Sequence, residues 1–183
     1  MNRRALILGL LSGAAVAPLP AIARAAQRTY FYEGAEVVRL ESPERPGTII
    51  IDTSARALHY ILGEGEAIRY GVAVGKQGFD WAGIAKIGRK VAWPKWTPPR
   101  DMIVRRPELA KYADGVPPGP DNPLGARAMY LFAGGRDTLY RIHGTNEPRS
   151  IGHAASSGCI RMLNEEVIDL YGRSPLGTKV IVL

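Results

Sequence analysis

A histidine and a cysteine sixteen residues apart carry the most reactive chemistry in this sequence. Cys159 is the only cysteine, and His143 lies upstream of it at the end of a stretch that is typical of a β-strand. A thiol attacks as its thiolate, so it needs a nearby base or positive charge. Gly144, Gly152 and Gly158 lie between the two residues and allow the chain to turn back. The pattern therefore favours a Cys/His acyl-transfer site.

Two other uses of the thiol compete with nucleophilic catalysis. Cys159 could be a small buried hydrophobic residue, although its surroundings, ASSGCIR, are small and polar. It could also bind zinc with His143 and His153, but the spacing His-x9-His-x5-Cys matches no common ligand pattern. We expect no metal and no cofactor. His153 is expected in a surface loop, and His59 is expected to be a structural residue of a strand.

Positive charge and a flexible backbone surround the predicted nucleophile. Arg141 and Arg161 lie close to it in sequence and would favour the thiolate. Gly158 allows backbone N–H groups to approach a substrate closely, as an oxyanion hole requires. Together with His143, these residues predict a thiolate–imidazolium pair in which Cys159 is alkylated quickly near neutral pH.

The elements that must position these residues are mostly short β-strands. Apolar and β-branched residues recur with the period of two that strands follow, and Gly63-Glu64-Gly65 is typical of a tight hairpin turn. A short helix is expected after Asp101, and Asn164 is expected to cap a helix from Glu165 to Tyr171. The predicted strands are 48–52, 57–62, 67–74, 83–91, 128–132, 138–142 and 178–183.

A long loop rich in proline and glycine occupies residues 114–126. Loops of this length in a compact domain are usually functional, as lids or as walls of a site. The alternative is a surface loop without a role. We predict that this loop forms a wall of the substrate cleft.

The N-terminal residues are typical of an export signal. Two arginines precede an apolar run from Ala5 to Ala17, and residues 23–25 read Ala-Arg-Ala, an A-x-A cleavage signal. The paired arginines resemble a twin-arginine signal. The apolar run is short for a membrane span, which leaves an uncleaved N-terminal anchor as the alternative. Residues 1–25 are therefore predicted to be a signal peptide, and residues 26–47 a lead-in segment.

Length, charge and cysteine content limit the classes of protein. A chain of 183 residues can form one domain with a real core but is short for two. The predicted signal carries three of the 24 basic residues and no acidic ones, which leaves a net charge of +4 on the rest. This mild, scattered charge disfavours a nucleic-acid partner and suits an anionic or carboxylate-rich substrate. A spare thiol in an oxidising compartment is a liability, which favours its use in chemistry.

The region around the histidine and cysteine resembles a known family. HGTN-x-P-x-S-I-G is followed by S-x-G-C-I-R-M and a short acidic helix, a pattern similar to the L,D-transpeptidase catalytic domain of the YkuD type. The resemblance is specific over residues 142–171 and extends more loosely from residue 48 to the C-terminus. It implies a mostly β fold over residues 48–183, a mixed β-sandwich with one or two short helices.

The resemblance also implies a reaction and roles for residues. The cysteine attacks the carbonyl of the third residue of a peptidoglycan tetrapeptide stem, releases D-Ala and passes the acyl group to an amine. Cys159 matches the nucleophile and His143 the base. Gly144 matches the residue whose carbonyl orients the imidazole. The N–H groups of Gly158 and Cys159 would hold the oxyanion, and Arg161 would pair with a substrate carboxylate.

Three further motif positions, Thr145, Asn146 and Ser157, are carried over as substrate contacts. Many members have histidine where this chain has Ser157, which leaves the serine to bond substrate or backbone. The implied partners are stem peptides and carbapenem inhibitors, with no nucleic acid and no stable membrane span. The implied location is the periplasm or cell envelope, in peptidoglycan synthesis, cell wall organisation and cell shape.

The acyl acceptor stays open at this point. A stem amine would give a 3–3 cross-link, and an amine of an anchored envelope protein would attach that protein to the wall. A related thiol hydrolase or carboxypeptidase would use water, and a sortase-like enzyme is a further alternative. A wall-binding module would keep only the fold, but the intact pair of His143 and Cys159 argues against it.

Overall fold

The computed structural model describes residues 34–76 and 81–183. The predicted signal peptide, residues 1–25, lies outside the described residues, as does the first part of the predicted lead-in. None of the helices in these ranges combines the length and the hydropathy that a membrane-spanning helix requires.

Short strands and two short α-helices make up about half of the described chain. The strands are β1 (Glu36–Arg39), β2 (Ile49–Asp52), β3 (Ala57–Gly63), β4 (Glu66–Gly71), β5 (Val74–Gly75), β6 (Gly83–Ala92), β7 (Arg127–Ala133), β8 (Arg136–His143), β9 (Ala154–Ser156), β10 (Ile160–Arg161) and β11 (Lys179–Val182). The α-helices are α1 (Arg100–Arg105) and α2 (Asn164–Arg173), and 3-10 helices lie at Pro107–Tyr112 and Pro148–Ser150. This content confirms the predicted mostly β fold.

Nine of the described strands form one mixed sheet in the order β1-β4-β3-β2-β11-β6-β7-β8-β10. Most neighbours are antiparallel, whereas β11 runs parallel to β2 and β10 runs parallel to β8. β11 lies in the middle of the sheet and joins β2 to β6. β5 and β9 pair in parallel as a small second sheet.

The two halves of the large sheet share one hydrophobic core. Buried apolar residues of β2, β3 and β4 cluster with those of β6, β7 and β8 and with helix α2. Alternate side chains of a strand point to opposite faces, so each strand contributes every second residue. In β2, Ile49 and Ile51 are fully buried, whereas Ile50 and Asp52 are partly exposed. The large sheet therefore packs around its own core, as a mixed sandwich does.

The opening hairpins follow the prediction with one difference. β3 and β4 are joined at Gly63–Gly65 by a turn with positive φ angles, as a tight hairpin requires. The prediction that the third strand runs to Val74 is wrong, because β4 ends at Gly71. Ala73 instead exchanges backbone hydrogen bonds with Arg161, and β5 pairs with β9. The chain thus leaves the hairpins and passes directly beside the His/Cys motif.

Part of the predicted lead-in belongs to the sheet. β1 lies within residues 26–47 and pairs antiparallel with β4 at the edge of the sheet. Across this pair Arg69 donates a hydrogen bond of 3.1 Å to Glu36. This segment is therefore an edge strand as well as a connection.

Helix α2 packs its apolar side against the sheet. The prediction that Asn164 caps this helix is wrong, because α2 begins at Asn164, and the residue at the N-cap position, Leu163, has no side-chain capping bond. The side chain of Asn164 reaches other segments instead. At the other end, Lys90 of β6 donates to the carbonyl oxygens of Tyr171 and Ser174, both at 2.6 Å. A cation thus satisfies the last carbonyls of the helix, where the helix dipole is negative.

Candidate active site

The strand register brings the histidine and the cysteine to one face of the sheet. β10 runs parallel to β8, and Arg161 lies opposite His143. Cys159, two residues before Arg161, therefore lies at the level of Arg141. Residues two apart on extended chain share a face, so His143, Arg161 and Cys159 point to the same side. All three line one cleft.

His143 is held in one tautomer by its neighbour. The residue is buried, and its Nδ1 lies 2.5 Å from the carbonyl oxygen of Gly144. A carbonyl only accepts, so Nδ1 carries the proton and Nε2 is left as an acceptor. Burial lowers the pKa of His143 to about 4, and the bond to Gly144 acts against this shift. The positive charges of Arg161 and Arg141 lower the pKa further.

Cys159 is held close to the backbone of β8. The residue is half-buried, and its Sγ lies 3.9 Å from the carbonyl oxygen of Leu139. Burial raises the pKa of the thiol, and the charges of Arg141 and Arg161 partly offset this effect. The sequence predicted a thiolate–imidazolium pair, but burial of both groups favours a neutral thiol and a neutral imidazole at pH 7.

The loop before the nucleophile is organised by a serine that the sequence analysis missed. Ser156 is buried, and its hydroxyl donates to the carbonyl oxygen of Cys159 at 2.6 Å. The same hydroxyl accepts from the N–H of Gly158 at 3.0 Å. The Gly158 N–H predicted for the oxyanion hole therefore already has an acceptor. Within the described chain, the N–H of Cys159 has none.

Asn164 links three segments behind the histidine. Its Oδ1 accepts from the N–H of Ala126 at 2.9 Å and of Thr145 at 3.3 Å, and its Nδ2 donates to Thr145 O at 3.0 Å. A Cβ added at Gly144 or Gly125 would collide with this oxygen. Gly144 is thus required by close approach in addition to its carbonyl. In the sequence, an asparagine before a helix indicates an N-cap, so this linking role of Asn164 was not predicted.

Of the three residues after Gly144, two line the cleft and one is buried behind it. Thr145 is buried behind the cleft, and its Oγ1 accepts from the N–H of Glu147 at 2.9 Å. Asn146 lines the cleft and donates to the carbonyl oxygen of Asp121 at 2.9 Å. Glu147 lines the cleft as well, and its carboxylate pairs with Arg161 at 2.7 Å. The guanidinium of Arg161 is therefore oriented by a carboxylate that sequence reasoning did not select.

A cleft of about 360 Å³ lies over the histidine–cysteine pair. Its outer wall is the lid segment, residues 93–126, which contains α1, a 3-10 helix and the predicted wall loop 114–126. Ser157 is an exposed lining residue of the cleft, with no hydrogen bond of its side chain to the described residues. The lid segment contributes Trp96, Met102, Arg106, Leu109, Tyr112, Val116, Asp121, Pro123 and Leu124.

One buried side chain holds the lid segment together. Asn122 is fully buried, and its Nδ2 donates to the carbonyl oxygens of Pro94, Val116 and Pro117 at 2.9, 3.1 and 2.9 Å. Its Oδ1 accepts from the N–H of Leu124 at 2.9 Å. These bonds tie both ends of an irregular segment to one residue. Asparagine in a Pro/Gly loop is ordinarily a turn signal, so the sequence did not reveal this role.

β8 bulges where it passes the nucleophile. A single residue of β7, Leu131, faces three residues of β8, 138–140. Leu139 has φ +64°, in the left-handed region, and its side chain is 75% exposed. Asp137 Oδ1 accepts from the N–H of Leu139 at 2.8 Å, and the Thr138 hydroxyl donates to Leu131 O at 2.7 Å. The bulge was not predicted, because the sequence continues the strand pattern through it.

Beyond the lid segment, the sheet face beside the nucleophile is basic. Arg89, Tyr130 and Arg141 lie opposite one another across β6, β7 and β8. The guanidinium groups of Arg141 and Arg89 lie 4.3 and 4.8 Å from the centre of the Tyr130 ring. Arg141 is paired with Asp137 at 2.7 Å. Arg89 has no carboxylate partner within the described chain, so this face keeps a free positive charge.

The two other histidines lie outside the cleft. His59 is half-buried in β3, where burial lowers the pKa of its imidazole. His153 is exposed, and its carbonyl oxygen accepts from the N–H of Val74. In residues 34–76 and 81–183, no group of three or more histidine, cysteine or acidic residues could hold a metal ion.

Comparison with known proteins finds one family. The family model of the L,D-transpeptidase catalytic domain matches residues 46–182. A Fuscovulum blasticum protein assigned to the L,D-transpeptidases is 38% identical over 195 residues, which cover 100% of this chain and 98% of that protein. Other curated relatives, 32–37% identical, are longer, and the chain spans 43–46% of their length.

Solved structures extend the comparison to the fold. A Brucella melitensis protein described as a carnitine operon oxidoreductase is 49% identical, with a TM-score of 0.56 over 81% of this chain and 92% of that chain. An L,D-transpeptidase in complex with imipenem is 14% identical, with a TM-score of 0.53 over 74% of this chain and 58% of that chain. The second likeness shows the fold alone, and the oxidoreductase description applies to the first protein only. By the match over residues 46–182 and the relative that it resembles along its whole length, the chain belongs to the L,D-transpeptidase catalytic domain family.

Proposed function

We propose that Cys159 is the nucleophile and His143 the general base of an L,D-transpeptidase that acts on peptidoglycan stem peptides. The observation that carries this proposal is the contact between Nδ1 of His143 and Gly144 O, which leaves Nε2 as an acceptor in the cleft that Cys159 also lines. A neutral imidazole is the form that takes a proton from a thiol. The lowered pKa of His143 keeps it in that form at neutral pH.

In the acylation step, Nε2 of His143 takes the thiol proton while Sγ of Cys159 attacks the carbonyl carbon of the third stem residue. The C–N bond to the terminal D-Ala then breaks, and the imidazolium gives its proton to the leaving amine. The acyl group stays on Cys159 as a thioester. An incoming amine attacks this thioester, loses a proton to His143, and the sulfur leaves and is protonated again.

Backbone and side-chain groups around the thiol support this chemistry. The N–H of Cys159 is available to stabilise the oxyanion, and the N–H of Gly158 would join it once released by Ser156. The guanidinium of Arg161 pairs with Glu147, and we expect it to pair also with a carboxylate of the stem. Asn146 and Ser157 present polar groups to the same cleft, and Thr145 supports the loop from behind.

The acceptor is proposed to be the side-chain amine of a second stem, which would give a 3–3 cross-link. An envelope protein amine or water would attack the same thioester. The signal-like residues 1–25 would export the chain to the periplasm or envelope, where stem peptides are found. Carbapenems are proposed to acylate Cys159, and the imipenem complex of a protein with this fold supports that expectation.

Incubation of the purified chain with a tetrapeptide muropeptide, followed by mass spectrometry, tests the proposal. We expect loss of D-Ala, a transient mass increase on Cys159, and a cross-linked dimer. Cys159→Ala should abolish all three, whereas Ser157→Ala should keep the mass increase. A Cys159→Ala variant with full activity would sink the proposal. Release of a tripeptide without any dimer would identify the hydrolase alternative.

A further inference from the structure

Leu139 carries two unfavourable features at one position. Its φ of +64° lies in the left-handed region, which residues other than glycine and asparagine rarely adopt. Its side chain is a large apolar group that is 75% exposed and so gains little from packing. Glycine would remove both features. Strain of this kind persists where the surrounding structure imposes it, and it clusters at functional sites.

The surrounding bonds show that the bulge is held in place. Thr138 Oγ1 donates to Leu131 O at 2.7 Å and accepts from the N–H of Tyr140 at 3.2 Å. Asp137 accepts from the N–H of Leu139 and also pairs with Arg141. The side chains on both sides of Leu139 thus fix its backbone. Bulges are frequent beside active sites, where they redirect a side chain.

The bulge lies beside the nucleophile and outside the lining of the cleft. The carbonyl oxygen of Leu139 is 3.9 Å from Sγ of Cys159, yet Leu139 does not line the cleft under the lid segment. A stem peptide acylated on Cys159 would occupy that cleft. The second substrate must reach the thioester from another direction, and Leu139 is an exposed residue beside Sγ that does not line the cleft.

We propose that the side chain of Leu139 is an apolar contact for the aliphatic chain of the incoming acceptor amine. This inference rests on the proposed function, since it assigns the second substrate of the same thioester. It makes Leu139 a specificity-determining residue for transfer and leaves the acylation step to the cleft. Removal of the side chain should therefore affect transfer to long amines more than it affects acylation.

Leu139→Gly tests this inference because it removes both the strain and the side chain. The full chain would receive a tetrapeptide stem as donor, with glycinamide or 6-aminohexanamide as acceptor, and the products would be counted by mass spectrometry. We expect donor hydrolysis without amine to be unchanged, transfer to 6-aminohexanamide to fall roughly tenfold, and transfer to glycinamide to change little. The melting temperature should rise by about 2–4 °C, because the strain is relieved.

Glu64→Gly is the matched control, because Glu64 also has a positive φ, of 54°, in an exposed hairpin turn far along the sheet. It should raise the melting temperature without changing either transfer rate. Equal transfer by wild type and Leu139→Gly, or a joint fall in melting temperature and donor hydrolysis, would overturn the inference. A wild-type chain that hydrolyses the donor but ignores amine length would overturn it and leave the thiol chemistry standing. Failure of the donor to form any acyl-enzyme would overturn both proposals.

Discussion

The lid segment lies on one side of Cys159 and strand β8 on the other, and different interactions hold the two in shape. On one side, the lid segment has little regular structure, and the buried Asn122 makes it a defined wall through four hydrogen bonds. On the other side, β8 is a regular strand that is interrupted at Leu139 by a clamped bulge. Buried hydrogen bonds hold an irregular loop in one shape, whereas local strain changes the shape of a strand. We therefore expect the stem peptide to bind on the lid side and the acceptor amine to attack from the strand side.

The imidazole of His143 is the proposed proton acceptor for Cys159, which lies between the two sides. We therefore expect its removal to have the largest effect on activity. His143→Ala should lower the acylation rate of Cys159 by about 10²–10⁴-fold, because the thiol loses its proton acceptor. Single-turnover acylation by imipenem, followed by intact mass, measures this rate. His153→Ala is the control, because His153 is exposed and outside the cleft. Equal acylation rates in His143→Ala and wild type would remove the general base from the mechanism.

Acid should weaken the fold through the same residue. The pKa of His143 lies at about 4 in the folded chain and near 6.5 when unfolded, so only the unfolded state binds a proton between these values. The free energy of unfolding should therefore fall by about 3 kcal/mol as pH drops from 7 to 4. Urea unfolding of wild type and His143→Gln across this range isolates the contribution. A parallel pH dependence in the two proteins would contradict a buried neutral imidazole.

The close contact between Gly144 and Asn164 should be sensitive to one added methyl group. In Gly144→Ala the new Cβ would collide with Asn164 Oδ1, which also binds the end of the lid segment at Ala126. We expect a loss of about 1–3 kcal/mol in stability and a fall in acylation of about 10–100-fold. Gly172→Ala is the control, since its Cβ meets nothing within 4 Å and should stabilise α2. A Gly144→Ala variant with wild-type activity and stability would show that the side chain of Asn164 can move to make room for the added Cβ.

A substitution that loosens only the lid segment should weaken binding of the stem peptide and leave the reactivity of Cys159 unchanged. Asn122→Ala leaves buried carbonyl and N–H groups without partners, so we expect a loss of about 2 kcal/mol in stability and a higher KM for the stem peptide. Alkylation of Cys159 by iodoacetamide, a small reagent that needs no lid, should keep its rate. A slowed alkylation at equal folded fraction would mean that the lid segment also positions the thiol.

The smallest effect is expected at the contact between the motif and the lid segment. Asn146 donates a single hydrogen bond to Asp121 O, and its side chain is exposed. Asn146→Ala should raise KM about two- to threefold and cost under about 1 kcal/mol in stability. An effect on KM larger than that of Asn122→Ala would reverse the ranking and indicate that Asn146 binds the stem directly.

Local sequence patterns were enough to predict the positions of most strands and the pairing of His143 with Cys159. Alternating apolar residues predicted β2, β3, β6, β7, β8 and β11 within one or two residues of most ends, because burial of one strand face is a local signal. The glycines between His143 and Cys159 indicated a returning loop, and the structure brings both residues to one cleft. The wall loop 114–126 was likewise marked by its length and composition.

Polar residues that connect distant segments could not be predicted in this way. The position of Asn164 before a helix indicated a cap, but its side chain binds segments that are 19 and 38 residues away in the chain. Asn122 and Ser156 satisfy backbone groups whose positions only the folded chain defines. The protonation state of the pair also depends on burial, which the motif alone does not contain.

The placement of β11 affects how the fold is reached during synthesis. β11 follows the other described strands in the sequence and so emerges from the ribosome after them, yet it joins β2 and β6 at the centre of the sheet. Its partners in β2 lie about 130 residues earlier. The two halves of the sheet therefore stay unjoined until translation of this domain is almost finished. Such distant pairing is slow and cooperative, so we expect an incomplete chain to remain without its core. The nucleophile, which lies upstream of β11, would then gain its buried setting only after β11 has docked.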